Sequence, residues 1–118
     1  MATFKGTYTV TITPFTADGR KVEESVLREF VDWQIERGAH GLIPVASTGE
    51  FLSLSDDERR TVAATVIDQA RKRVPILIGT GAESTWDVVR YSREAEELGA
   101  DGVLIIPPFY STPTDEEL

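Results

Sequence analysis

The sequence predicts an α/β fold with parallel strands, and three observations predict it. Short apolar runs alternate with amphipathic helical stretches in the order β-α-β-α-β-α-β. Each strand-plus-helix unit takes roughly 30 residues, the size of a βα repeat. Gly38-Ala39-His40-Gly41-Leu42 recurs as Gly99-Ala100-Asp101-Gly102-Val103, each copy spanning a helix end and a strand start. Helices that join parallel strands imply right-handed crossovers. Four such units suit two architectures, a complete doubly wound sheet or half of a (β/α)8 barrel, which normally needs ~250 residues. Pattern alone does not separate them.

The elements follow in order. Tyr8 to Thr13 alternates β-branched residues and reads as the first strand, stopped by Pro14. After the Asp18-Gly19 turn signal, Val22, Val26, Phe30 and Leu27, Val31, Ile35 mark one face of a helix from Glu23 to Arg37. Gly38 suits its C-terminal stop. Leu42 to Val45 is the second strand. Ser55 with Glu58 forms a capping box for a second helix, whose buried stripe is Val62, Val66, Ala70 with Ala63 and Ile67. Acids at its start and Arg71, Lys72, Arg73 at its end suit the helix dipole. Pro75 to Ile78 is continuous and apolar, as a strand covered on both faces should be. Ser84 and Asp87 cap a third helix with Val88, Tyr91, Ala95 and Leu98 inside, ended by Gly99. Gly102 to Ile106 is the fourth strand. Thr114-Asp115-Glu116-Glu117 announces a fourth capping box, so residues 1–118 are expected to be a partial domain cut at the start of a fourth helix.

Composition removes several classes of function. The formal charge of −8 repels phosphate backbones and anionic membranes, so neither nucleic acid nor a membrane is an expected partner. No apolar run approaches the ~20 residues of a membrane span. The start, Met-Ala-Thr-Phe-Lys-Gly, lacks a signal-peptide core, and a cytoplasmic location is expected. With no cysteine and a single histidine there is no thiol nucleophile, no disulfide and no His–Cys metal site, and no metal is expected.

The candidate chemistry sits after strands. Pro44-Val45-Ala46-Ser47-Thr48-Gly49-Glu50 follows the second strand, where ligands bind in α/β folds. Its backbone amides and hydroxyls suit a small anion such as a carboxylate. Gly49 lets the loop turn, and Glu50 is expected to lock it by accepting backbone hydrogen bonds. On the residues alone, an ordinary turn is an equal reading. Ser47 and Thr48 have no adjacent base that would make either a nucleophile. Gly79-x-Gly81-x-x-Ser84 is a broken dinucleotide fingerprint, better read as a tight strand-to-loop turn. His40 lies in a helix-to-strand connection at the opposite end and reads as solvated. Asp56, Asp57, Glu58 and Asp115, Glu116, Glu117 read as first-turn charges. Tyr110 follows the fourth strand, where a phenol can relay a proton, although a core or interface aromatic is commoner.

Taken together, these residues carry a resemblance. Thr13-Pro14-Phe15, Ser47-Thr48-Gly49-Glu50, Leu54-Ser55-x-x-Glu58, Gly79-Thr80-Gly81 and Pro107-Pro108-Phe109-Tyr110 fall in the order and at the spacing of the dihydrodipicolinate synthase / N-acetylneuraminate lyase family. The resemblance implies the N-terminal half of a (β/α)8 TIM barrel, β1-α1-β2-α2-β3-α3-β4. It implies a lyase of class I aldolase type, in which a lysine on the sixth strand forms a Schiff base with pyruvate or another 2-keto acid and no separate cofactor is used. By the same resemblance Ser47 and Thr48 hold the pyruvate carboxylate, Ser47 joins a proton relay, and Tyr110 completes that relay in a neighbouring subunit of a homo-oligomer, a dimer of dimers in many members. Gly49 and Glu50 structure the loop. Dihydrodipicolinate synthase is the favoured label, with N-acetylneuraminate lyase and sugar-acid aldolases or dehydratases as rivals.

The chain departs from the family pattern in places. Ala46 replaces the usual glycine before the hydroxyl pair, which is harmless only if the position avoids positive φ. Phe109 stands where some synthases have a second tyrosine. Glu83 stands where lysine-inhibited members often have asparagine, so strong lysine feedback is not expected. The only lysines are Lys5, Lys21 and Lys72, none at a strand C-terminus. The chain alone is therefore expected to be catalytically inactive. The reading from another class is a non-enzymatic half-barrel scaffold whose open edges make it self-associate.

Overall fold

The computed structural model describes residues 3–118. Its elements are β1 (Tyr8–Val10), α1 (Glu24–Glu36), β2 (Gly41–Ile43), α2 (Asp56–Ala70), β3 (Leu77–Gly79), α3 (Thr85–Leu98) and β4 (Gly102–Leu104). β1 pairs with β2 in parallel, from Tyr8 opposite Gly41 to Val10 opposite Ile43. β3 pairs with β4 likewise, from Leu77 opposite Gly102 to Gly79 opposite Leu104. A parallel bridge between Leu42 and Ile76 joins the two pairs, giving the order 1-2-3-4.

That order decides the architecture. Right-handed crossovers that always step to the next strand place every helix on the same face. A doubly wound sheet instead reverses direction and covers both faces. Here Leu27 and Val31 of α1, Val62, Ala63, Val66 and Ala70 of α2, and Ala95 of α3 form one core with Leu42, Ile76 and Ile78. α2 lies between α1 and α3. Each large aliphatic side chain buried there contributes roughly 1.5–3 kcal/mol. At the two lateral strands, Ile12 beyond β1 and Val103, Leu104 and Ile105 on and beyond β4 remain exposed. The arrangement is half of a βα barrel.

The strands are shorter than their apolar runs suggest. Pairing nevertheless continues past two of them, through Thr11 N–H to Ile43 O (3.1 Å) and Thr80 N–H to Leu104 O (3.0 Å). Helix ends fall where local chemistry puts them. Ser55 and Glu58 complete both halves of the capping box on α2. α2 stops at Ala70, so the basic run lies just past the helix, with Arg71 and Lys72 left-handed. Arg73 still caps it by donating to the Ala70 and Gln69 carbonyls. On α3 only Ala95 of the expected inner face is fully buried, while Val88, Tyr91 and Leu98 are half-buried. Among the described residues no fourth helix forms at Thr114. The Glu117 carboxylate accepts the Thr114 amide (2.8 Å), and the Glu117 amide donates to the Thr114 carbonyl (3.0 Å), forming a single turn.

The five-residue repeat is a shared piece of hydrogen bonding. Gly38 and Gly99 adopt φ of +92° and +88°, ending α1 and α3. His40 donates its amide to Thr7 O (2.9 Å) and accepts the Thr7 amide at Nδ1 (3.0 Å). Asp101 donates to Ile76 O (2.9 Å) and accepts the Ile76 amide at Oδ2 (2.8 Å). His40 is therefore not merely solvated. It is the counterpart of Asp101, each side chain pinning the strand before its own. The second glycine of each copy makes room for a side chain rather than for backbone. A Cβ at Gly41 would lie 2.0 Å from the Tyr8 ring, and one at Gly102 2.8 Å from Leu77.

Candidate active site at the strand C-termini

The chain leaves β2 through an unusual backbone. Val45 is buried and has φ of +60°, a costly conformation for a β-branched residue. Ala46 is extended (φ −116°, ψ −169°), so alanine is accommodated there and the left-handed step falls one residue earlier. The turn is held from outside. The Val45 carbonyl lies against β3 so closely that a Cβ on Gly79 would sit 2.0 Å from its oxygen. Gly79 and Gly81 thus serve close packing, against Val45 and Ile106 respectively, and neither adopts positive φ.

Ser47–Gly49 and Phe51–Ser53 then form two single 3-10 turns. The Ala46 carbonyl accepts the Gly49 amide (3.0 Å) and the Phe51 amide (3.4 Å). Gly49 also avoids positive φ. A Cβ there would lie 2.9 Å from the Thr11 carbonyl, and the Gly49 carbonyl accepts the buried Thr13 hydroxyl (2.8 Å). Gly49 is needed for close approach to β1 rather than for a sharp turn. Glu50 supplies the bend through its own backbone, with φ of +56°. Among the described residues no backbone amide reaches its carboxylate, so it does not lock the loop in the expected way. Ser47 and Thr48 are exposed, and among the described residues neither their amides nor their hydroxyls have a partner. Ser47 lines a cleft with Val45, Ala46, Phe51, Gly79 and Leu104 that encloses about 240 Å³, its open mouth included.

Behind this loop stands a group that sequence patterning missed. Arg59 of α2 lies over the Phe51 ring (5.1 Å) and the Tyr91 ring (4.4 Å). It donates to the Phe51 carbonyl (3.2 Å) and to the Gly81 carbonyl (3.4 Å), joining the loops after β2 and β3. Asp56 is more than a first-turn charge. It accepts the Tyr91 hydroxyl (2.6 Å) and Arg90 (2.8 Å). Those two partners, Tyr91 foremost, hold its carboxyl below the usual range. Partial burial, then donation to Asp56, pushes the Tyr91 phenol up. Arg59 sits one turn into a capped helix, facing two aromatics that are distant in sequence. Only the three-dimensional arrangement reveals its role.

The segment after β4 is tied to the same cluster. Phe109 packs edge-on against Phe51, with ring centroids 5.8 Å apart and planes at 86°. Tyr110 is 94% exposed. The structure therefore brings Ser47, Thr48 and Gly49 together on one strand-end loop and sets Tyr110 on a neighbouring loop. Its phenol has no hydrogen-bond partner among the described residues.

Sequential parallel strands, helices on one face and polar loop residues at the strand C-termini define the class: part of a βα barrel, a fold whose sites form at that face. Residues 3–118 match the model of the dihydrodipicolinate synthetase family, and the chain belongs to that family. It is 47% identical over 113 residues to the 4-hydroxy-tetrahydrodipicolinate synthase of Nitrobacter hamburgensis, covering 96% of this chain and 38% of that relative. It is 42% identical to the synthase of Acidiphilium cryptum, covering 98% and 39%. Among solved structures, the chloride-inhibited dihydrodipicolinate synthase from Acinetobacter baumannii complexed with pyruvate matches with TM-score 0.93 and 38% identity, over 97% of this chain and 39% of that one. YagE, an Escherichia coli K12 prophage protein of the same family solved with pyruvate, matches with TM-score 0.91 and 36% identity, over 98% and 38%. The chain spans about two fifths of the length of these relatives, and it corresponds to the N-terminal half of their barrel.

Proposed function

We propose that this chain carries the carboxylate cradle and one relay phenol of a Schiff-base-forming, pyruvate-dependent lyase of the 4-hydroxy-tetrahydrodipicolinate synthase type. The observation that carries the reading is the unengaged pair of amides and hydroxyls at Ser47 and Thr48, presented at the end of a parallel strand. Two adjacent amides and two hydroxyls are donors enough for both oxygens of a carboxylate. The pyruvate complexes of the Acinetobacter synthase and of YagE support pyruvate as that ligand. The names of the relatives favour the synthase over the sugar-acid lyases.

In this reading the Ser47 hydroxyl and the Tyr110 phenol hand protons on, since the lone histidine is bound up in the Thr7 contact at the other end of the strands. Tyr110 of one copy serves its neighbour, which calls for a homo-oligomer. Lys5 precedes β1, Lys21 lies in the exposed turn before α1, and Lys72 follows α2. None is placed to form the imine, so the lysine comes from outside this sequence and the chain by itself binds without reacting.

Titration of pyruvate into the isotopically labelled chain tests this. Saturable shifts are expected at the Ser47, Thr48 and Gly49 amides, lost in Ser47→Ala/Thr48→Ala. Intact mass after borohydride treatment should show no pyruvyl adduct. Unmoved Ser47 and Thr48 amides would overturn the cradle, and an adduct on any of the three lysines would overturn the unreactive chain.

A further inference from the structure

The segment from Ile105 to Pro113 contains three prolines and has no regular secondary structure. Among the described residues none of its amides finds a backbone acceptor. An unsupported stretch of this kind has no intrinsic reason to present one particular geometry. Two of its amides are nevertheless held. Oε1 of Glu83 accepts the Phe109 amide (3.0 Å) and the Tyr110 amide (2.8 Å). Hydrogen bonds to an ionised acceptor are the strong kind.

Glu83 itself stands on a firm base. It leaves the loop after β3 and immediately precedes Ser84, whose hydroxyl accepts the Asp87 amide (3.1 Å) and so caps α3. Gly81, two residues back, is packed against Ile106 and tied to Arg59. On the far side the Phe109 ring rests on Phe51. The backbone at 109–110 is thus fixed by one polar and one apolar contact. The exposed Tyr110 side chain takes its direction from that backbone alone.

We propose that Glu83 is the positioning residue for Tyr110, its carboxylate clamping the loop after β4 to the loop after β3 so that the phenol stands where a relay requires it. The purpose of the clamp rests on the reading of Tyr110 as a relay phenol; the clamp itself does not. The family resemblance marks Glu83 only as a departure from asparagine, whereas the clamp gives the departure a task that a carboxylate performs well.

The test has two arms. In the labelled chain, hydrogen exchange at the Phe109 and Tyr110 amides should quicken by about tenfold in Glu83→Ala, the effect of losing a charge-assisted bond. Exchange at Val62 and Val66 should stay unchanged. Glu83→Gln, which keeps an acceptor oxygen, should restore most of the protection. In the second arm residues 1–118 replace the matching segment of the Nitrobacter synthase, so that kcat and KM can be read in a complete barrel. There Glu83→Ala should lower kcat and leave the KM for pyruvate, Glu83→Gln should rescue it, and adding Glu83→Ala to Tyr110→Phe should cost little more. Unchanged exchange in Glu83→Ala, or a Gln variant as poor as Ala, overturns the clamp. Faster exchange with unchanged kcat, in a chimera where Tyr110→Phe does lower kcat, overturns positioning. An unchanged kcat in Tyr110→Phe overturns the relay reading and with it the purpose of the clamp, while the exchange result still stands.

Discussion

An alanine at position 79 would place its Cβ 2.0 Å from the Val45 carbonyl oxygen, and neither partner has room to yield. Val45 already carries a left-handed turn, and its carbonyl points where the β2–β3 contact sends it. At Gly49 the same substitution meets the Thr11 carbonyl at 2.9 Å, a smaller overlap. At Gly41 the obstacle is the Tyr8 ring, half-buried and packed edge-on against Phe4, a side chain that yields more readily than backbone. The expected order of destabilisation is Gly79→Ala, then Gly49→Ala, then Gly41→Ala. The middle one should cost about 1–3 kcal/mol, as overpacking does. Urea midpoints measure this, and a Gly41→Ala variant less stable than Gly79→Ala would contradict it. These glycines illustrate what sequence hides. Gly79-Thr80-Gly81 reads as a tight turn, yet its first glycine is required by the carbonyl of Val45, on the loop after a different strand. Ser47 and Thr48, by contrast, were legible, because their place at a strand end follows from local pattern.

At the scale of elements, legibility tracks how local the determinants are. The α2 start was legible to the residue because Ser55 and Glu58 satisfy each other within a single turn. Glu58 accepts the Ser55 amide (2.8 Å), and Ser55 accepts the Glu58 amide (3.3 Å). Strand ends were less so, since a strand stops where its neighbour stops supplying partners. It follows that Ser55→Ala, which removes the acceptor for the Glu58 amide, should lower stability by about 1 kcal/mol. Ser55→Asp should retain most of it. Thermal melts of the three proteins at neutral pH check the ordering, and an alanine variant as stable as the parent would show the box to be idle. Because Asp56 follows the cap directly and binds Tyr91 and Arg90, fraying of this turn should also loosen the support behind the site loop.

For the whole molecule, the order of elements was legible in the pattern, whereas the choice of a half barrel over an open sheet was legible only through the family resemblance. βα periodicity is the same in both, and the residues facing the helices are apolar in both. The sequential strand order bears out the half barrel. Charge is the other property of the whole. The net formal charge of −8 favours unfolding at neutral pH through self-repulsion, and protonation relieves it. Against this, Asp32, Asp56, Glu58 and Asp87 are each held below the usual carboxylate range, chiefly by donors from Arg73, Tyr91, the Ser55 amide and Ser84 respectively. A carboxylate with a depressed native pKa adds stability above its unfolded value, about 4, and loses it as pH falls through the native one. Diffuse repulsion is screened over roughly 10 Å in ordinary buffers, whereas a direct hydrogen bond is not, so the local bonds should win. Urea midpoints should therefore hold nearly level from neutral pH down to about pH 5 and fall steeply below about 4. A midpoint that rises on acidification would mean that repulsion dominates. Because Asp56 ties Tyr91 and Arg90 of α3 to the start of α2, the same acid step should loosen the α2–α3 contact behind Ser47 and Thr48, and their response to pyruvate should weaken with it.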